Sequence, residues 1–157
     1  MTQDTTRCAW AGPEQIYVEY HDTEWGVPEY DSRALWEKLI LDGFQALLGN
    51  AGIIRHRGKI QAAITNAQAW QRIEAEQGFD TFMWDYVGGK PLQNRFASQA
   101  DVPPKTELSE KVSKDLKKAG FKFCGPTIVY AWMEACGLVN DHLVGCHRHS
   151  VCAALGR

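Results

Sequence analysis

No stretch of this sequence stays apolar for the roughly 20 residues that a bilayer crossing needs, so no membrane role is expected. The opening Met-Thr-Gln-Asp-Thr-Thr has neither a basic n-region nor an apolar h-region, and no signal peptide is expected. An excess of one charge is also missing: 17 Lys and Arg face 19 Asp and Glu, a net charge of −2. That balance argues against a uniformly basic nucleic-acid binder, although local patches can still hold phosphate. Alternating apolar and polar runs are absent, as are internal repeats, so neither a sandwich nor a solenoid is indicated. The five cysteines are an odd number, a poor basis for a disulfide framework, and point to reduced or metal-bound thiols in the cytoplasm.

What is present is enough for one domain over residues 1–157, with 45% apolar residues. Nearly every periodic segment is helical. Asp31 or Ser32 can cap a helix striped by Leu35, Leu39, Ile40, Phe44 and Leu47, broken at Asn50-Ala51-Gly52. A second helix follows from Ile60 to about Trp70. Asp80 is placed to cap a short one, with Phe79 and Trp84 as a hydrophobic staple. Residues 88–104 read as loop. Thr106 caps a helix through Leu108, Val112 and Leu116 that Gly120 stops, with Glu107 and Glu110 in its first turns and Lys117 and Lys118 in its last. Pro126 opens a helix running to Gly137. The fold class is all-α.

Four residues bracket the chain. Cys8 and His21 near one end, with His142 and Cys146 near the other, are the donor set of a closed tetrahedral zinc site. A spacing of four puts His142 and Cys146 on one face if that stretch is helical. Such a zinc ion would hold structure and leave no position open for chemistry. The plainer alternative is that both cysteines are ordinary buried thiols, and that His147, His149 and Cys152 belong to an exposed tail.

Between the ends, Gly52, Arg55, Arg57 and Lys59 combine a glycine turn with a basic flank. Such a turn either grips a DNA phosphate through backbone N–H groups or merely joins two helices. Lys114, Lys117, Lys118 and Lys122 form a second basic group. Asp42 falls on the stripe of Leu35 and Leu39, where a carboxylate is costly unless paired or used. It is either an edge residue partnered by Lys38 or Arg33, or a buried acceptor for a cationic ligand. Trp10, Tyr17, Tyr20 and Trp25 crowd the first 25 residues and can form an aromatic core or a cage for a flat cation.

The string Tyr20-His21-Asp22-Thr23-Glu24-Trp25-Gly26-Val27-Pro28 resembles a signature of the bacterial 3-methyladenine DNA glycosylase I family. Arg7-Cys8-Ala9-Trp10, the run from Ala51 to Ile60, the run from Gly120 to Gly125 and the run from Ala135 to His142 also resemble strings of that family, in the same order. The resemblance implies a helix-hairpin-helix glycosylase fold whose ends are joined by zinc on Cys8, His21, His142 and Cys146. It implies a monofunctional DNA N-glycosylase of base-excision repair, acting as a monomer on double-stranded alkylated DNA and flipping 3-methyladenine from the duplex. Asp42 and Tyr20 fall at the catalytic positions. Trp10, Tyr17 and Trp25 fall among the base-binding aromatics, and Gly52, Arg55, Arg57 and Lys59 on the DNA-binding hairpin.

One departure stands out. After Leu41-Asp42-Gly43-Phe44-Gln45-Ala46 the family continues through a Gly-Leu-Ser-Trp string and several helices, whereas here Ala46 runs directly into Leu47. The absent tryptophan is the family's stacking partner for the base, and Trp36 and Trp84 are the candidates to replace it. A shortened homologue that keeps zinc and DNA binding without competent base excision is the alternative reading.

Overall fold

A computed structural model describes residues 5–48 and 57–156, with their side chains except at 44–48 and 57–60. The candidate turn at Gly52 and Arg55, and the side chains of Arg57 and Lys59, lie outside what is described. Among the described residues are seven α-helices: α1 (Gln15–Thr23), α2 (Ser32–Leu48), α3 (Arg57–Glu76), α4 (Phe79–Trp84), α5 (Glu107–Lys118), α6 (Pro126–Ala135) and α7 (His147–Ala154).

The chain divides into two compact units, each built from separated segments. One comprises Met1–Glu29, Gly89–Pro103 and Met133–Arg157; the other comprises Tyr30–Gly88 and Pro104–Trp132. In the second unit, Leu35 and Leu39 of α2, Ala69 and Ile73 of α3, Phe79 and Met83 of α4, and Val112 and Leu116 of α5 are buried. That is the apolar stripe expected of amphipathic helices. Trp132 is buried with its indole N–H donating to the Leu35 carbonyl at 3.0 Å, so its one polar atom is satisfied.

Several helix ends follow the sequence. Asp31 accepts from the Ala34 N–H at 2.8 Å and caps α2. Thr106 accepts from the Ser109 N–H at 3.1 Å while Ser109 Oγ accepts from the Thr106 N–H, a reciprocal box at the start of α5. Four expectations are corrected. Asp80 lies inside α4, whose N-cap is Gly78, and the Phe79 N–H is taken by Glu74 at 2.8 Å. Helix α3 continues to Glu76, beyond Trp70, because Ala69 and Ile73 extend its buried face. Helix α1 occupies the aromatic-rich segment to which the sequence assigned no helix, since no apolar stripe marks it and His21 is its sole fully buried residue. A two-residue parallel pair, β1 (Leu92–Gln93) with β2 (Val139–Asn140), adds a minimal sheet to the first unit.

Helix α6 ends at Ala135, and the chain then turns sharply at Gly137. Its φ of 68° is favoured by glycine, and an added Cβ would lie 2.5 Å from the Pro28 nitrogen. Only glycine lets these two backbone segments of the first unit approach so closely.

Candidate functional site

Cys8 precedes the short 3-10 turn Ala9–Ala11, and His21 sits in the last turn of α1. His142 and Cys146 flank a turn, not the helix that their spacing suggested. The Cys146 N–H donates to the Leu143 carbonyl at 2.7 Å, and Cys146 becomes the N-cap of α7. All four side chains belong to the first unit and are buried, the two imidazoles completely.

Their donor atoms all lie within 4.8 Å of one another. Cys146 Sγ is 3.5 Å from His21 Nε2 and 3.6 Å from His142 Nδ1, and Cys8 Sγ is 3.8 Å from His142 Nδ1. A tetrahedral ion with bonds of about 2.0–2.3 Å sets sulfur and nitrogen ligands roughly 3.5 Å apart, so these residues fit a bound metal ion. The two sulfurs share a proton unequally. The hydrogen bond with Cys8 pulls the Cys146 thiol well down against burial, and the same bond together with burial pushes Cys8 up. Burial lowers the affinity of His142 for a proton, but the hydrogen bonds with Cys146 and Cys152 outweigh it and raise the group to about 9. A bound metal ion would displace these protons, because thiolate and neutral imidazole are the ligating forms.

The imidazoles are anchored from behind. His142 Nε2 faces the Trp25 carbonyl at 3.0 Å. His21 Nδ1 faces Asp22 Oδ1 at 2.8 Å, and Arg7 holds that carboxylate with three contacts of 2.7–2.9 Å. Gly26, with φ of 76°, passes so close that an added Cβ would lie 2.9 Å from His142 Nε2. The partnership of Arg7 and Asp22 was missed in the sequence; the adjacency of Asp22 to His21 was its one visible sign. Cys152, an exposed tail residue in the plainer alternative, is buried.

The aromatics of the N-terminal segment pack around this centre. The Trp10 ring lies 5.0 Å from Trp25, 5.3 Å from His21 and 6.2 Å from Tyr20, and Trp25 meets His142 edge-on at 4.5 Å. Tyr17 is 54% exposed.

In the second unit, Asp42 lies where the stripe placed it, one turn beyond Leu39. Among the described residues its buried Oδ2 has no hydrogen-bond partner. Burial pushes the carboxyl up to about 6, against the lowering charge of Lys38. A buried carboxylate oxygen without a protein partner calls for a water or a ligand to satisfy it. Trp36 stacks on Trp70 at 5.2 Å, and Trp84 is buried and stacks on Tyr30 at 4.4 Å, so both candidate replacements are engaged with other rings.

Helices α5 and α6 are joined as a hairpin through residues 119–125. Asn66 of α3 clasps its turn, donating to the Lys122 carbonyl at 3.0 Å and accepting the Lys122 N–H at 2.7 Å. Ser113 Oγ donates to the Cys124 carbonyl at 2.7 Å, and Arg72 donates to the Ala119 carbonyl at 2.9 Å. Phe123 is held at a φ of 56°, rare for a residue with a side chain. The turn is therefore built to a fixed shape, and it carries the exposed Lys117 and Lys122.

This mostly helical chain, with its buried Cys₂His₂ cluster, matches one family model, described as methyladenine glycosylase, over residues 10–49 and 44–149. DNA-3-methyladenine glycosylase 1 of Escherichia coli (strain K12) is 41% identical over 177 aligned positions, covering 89% of this chain and 95% of that protein. A crystal structure of 3-methyladenine DNA glycosylase I superposes with a TM-score of 0.83 at 42% identity, covering 92% of this chain and all of the other. The Staphylococcus aureus 3-methyladenine DNA glycosylase I, solved to explain its recognition of 3-methyladenine, gives a TM-score of 0.81 at 29% identity, covering 94% and 98%. The chain belongs to the methyladenine glycosylase family. The Escherichia coli alignment is longer than this chain of 157 residues, and the two family-matched stretches overlap at 44–49, where the strings of the sequence run together.

Proposed function

We propose that this protein is a DNA N-glycosylase that hydrolyses the bond between 3-methyladenine and deoxyribose in alkylated DNA. Membership of the family across most of the chain supports the reaction, and the partnerless Asp42 oxygen is the structural observation that carries it. The substrate base is cationic. When its bond to C1′ breaks, the base takes both bonding electrons and leaves neutral, while water adds at C1′ and gives up a proton. The protein therefore needs no covalent nucleophile. It must extract the base, hold it and admit water.

Asp42 provides a negative acceptor for a cationic ring, and its poor solvation leaves that charge available to a ligand. Tyr20, Trp10, Tyr17 and Trp25 are the aromatic residues proposed to stack on the base. Zinc is the metal assigned to Cys8, His21, His142 and Cys146, since two thiolates and two imidazoles suit it and a closed set supplies rigidity without Lewis-acid chemistry. Duplex DNA is held by its phosphates, through Arg57 and Lys59 and through the α5–α6 hairpin with Lys117 and Lys122. Such contacts position the duplex without reading its sequence. The cytoplasm is the proposed location.

Release of free 3-methyladenine from methylated duplex DNA by the purified protein tests the proposal. Saturable release by wild type and its loss in Asp42→Asn are expected. Intact DNA binding without released base would overturn the enzyme reading.

A further inference from the structure

His21 can offer only one nitrogen to a metal, and its surroundings decide which. Nε2 faces Cys146 Sγ at 3.5 Å and receives the Cys8 backbone N–H at 3.4 Å. Nδ1 faces Asp22 Oδ1 at 2.8 Å. A carboxylate held by a guanidinium can only accept, so Nδ1 carries the proton and Nε2 keeps its lone pair toward the sulfurs. His142 is fixed in the opposite sense: its Nε2 points at the Trp25 carbonyl at 3.0 Å, so Nδ1 is the donor atom toward the centre. The two anchors differ in charge. The Trp25 carbonyl is neutral, whereas Asp22 is an anion gripped by Arg7 through Nε and a terminal nitrogen, with His147 Nε2 at 3.5 Å from Oδ1.

We propose that Asp22, clamped by Arg7, is a positioning residue of the metal centre, fixing the tautomer and ring plane of His21 and strengthening Nε2 as a ligand. The inference rests on the assignment of Cys8, His21, His142 and Cys146 as metal ligands. A carboxylate behind a ligating imidazole makes its nitrogen more basic, and loss of such a partner commonly weakens metal affinity by roughly 10–100-fold. The same cluster ties three chain segments. Arg7 adjoins the ligand Cys8, Asp22 adjoins the ligand His21, and His147 adjoins the ligand Cys146 while its N–H donates to the Thr6 carbonyl at 3.0 Å.

Competition between the full-length protein and a chromophoric chelator for zinc(II) measures the effect, and the visible spectrum of the cobalt(II)-loaded protein reports ligand geometry. Asp22→Ala is expected to weaken zinc binding by about 10–100-fold and to change the cobalt bands. Asp22→Asn, which keeps an acceptor without charge, should fall between it and wild type, and Asp22→Glu should recover part of the loss. If Asp22→Ala does not fold, Asp22→Asn and Arg7→Gln carry the measurement. Unchanged affinity and cobalt bands in these variants, with a lower melting temperature alone, would show an ordinary ion pair and overturn the proposal. A wild-type protein that binds no zinc would overturn the ligand assignment and the clamp together.

Discussion

At the scale of single residues, Asp42 has two opposed effects. Its carboxyl is raised to about 6, so the folded chain prefers it protonated. The unfolded chain ionises near the ordinary value of 3.8, so wild-type stability falls as pH rises from about 4 to 6 and the full cost is present above that range. Asp42→Asn should therefore stabilise the fold by roughly 1 kcal/mol at pH 7.5, the scale of relieved strain at a functional site, and the gain should vanish near pH 4. Thermal melts of both proteins across that range check the sign. The same substitution should weaken binding of free 3-methyladenine by ~1–3 kcal/mol, read by tryptophan fluorescence. Wild-type binding should itself decline as pH drops below about 6, because protonation of Asp42 removes a charged acceptor for the N–H groups of the base. The position of Asp42 was legible in the sequence from its register with Leu35 and Leu39. Its missing hydrogen-bond partner was not, because satisfaction depends on every neighbour in space.

At the scale of elements, caps and stripes were legible wherever a local pattern sufficed. Thr106, Asp31 and Pro126 mark helix starts by their own chemistry, and Thr106→Ala should cost about 1 kcal/mol in chemical denaturation. Helix α1 lacks an apolar stripe because it carries His21 into a cluster with residues more than a hundred positions away in sequence; His21 and Cys146 are 125 residues apart. Gly137 shows the complementary case. Gly137→Ala should destabilise by at least about 1–2 kcal/mol through its left-handed backbone, and by more through collision with the backbone of Val27 and Pro28. The α5–α6 hairpin gives an element-level test of DNA binding. Lys122→Ala should weaken binding to any duplex alike and lower the salt-dependence slope by about 1, as should Arg57→Ala. An unchanged slope in Lys122→Ala would remove the α5–α6 hairpin from the DNA interface, and an unchanged slope in Arg57→Ala would remove the start of α3.

At the scale of the whole molecule, a metal ion held by the Cys₂His₂ cluster would close a very long loop, since Cys8 and His142 are 134 residues apart. A cross-link of that span is worth roughly 4–5 kcal/mol in the chain-entropy description. With about 2–4 °C per kcal/mol for a chain of this size, chelation should lower the melting temperature by about 10 °C. Metal analysis should give about one zinc per chain, lost in Cys8→Ala and in His142→Ala; full occupancy in both would show that the ligands are others.

Sequence by itself determined the helical class, the register that turns Asp42 inward, and the choice of the four Cys and His side chains that fold into one cluster, because periodicity and donor chemistry are local properties of the chain. Only the tertiary structure decided which nitrogen each histidine presents, that Asp22 and Arg7 stand behind His21, and that Gly137 must remain a glycine. Each of these depends on atoms brought within a few ångströms by folding. A histidine's tautomer is set by what lies behind it, and a glycine's necessity by what passes in front of it.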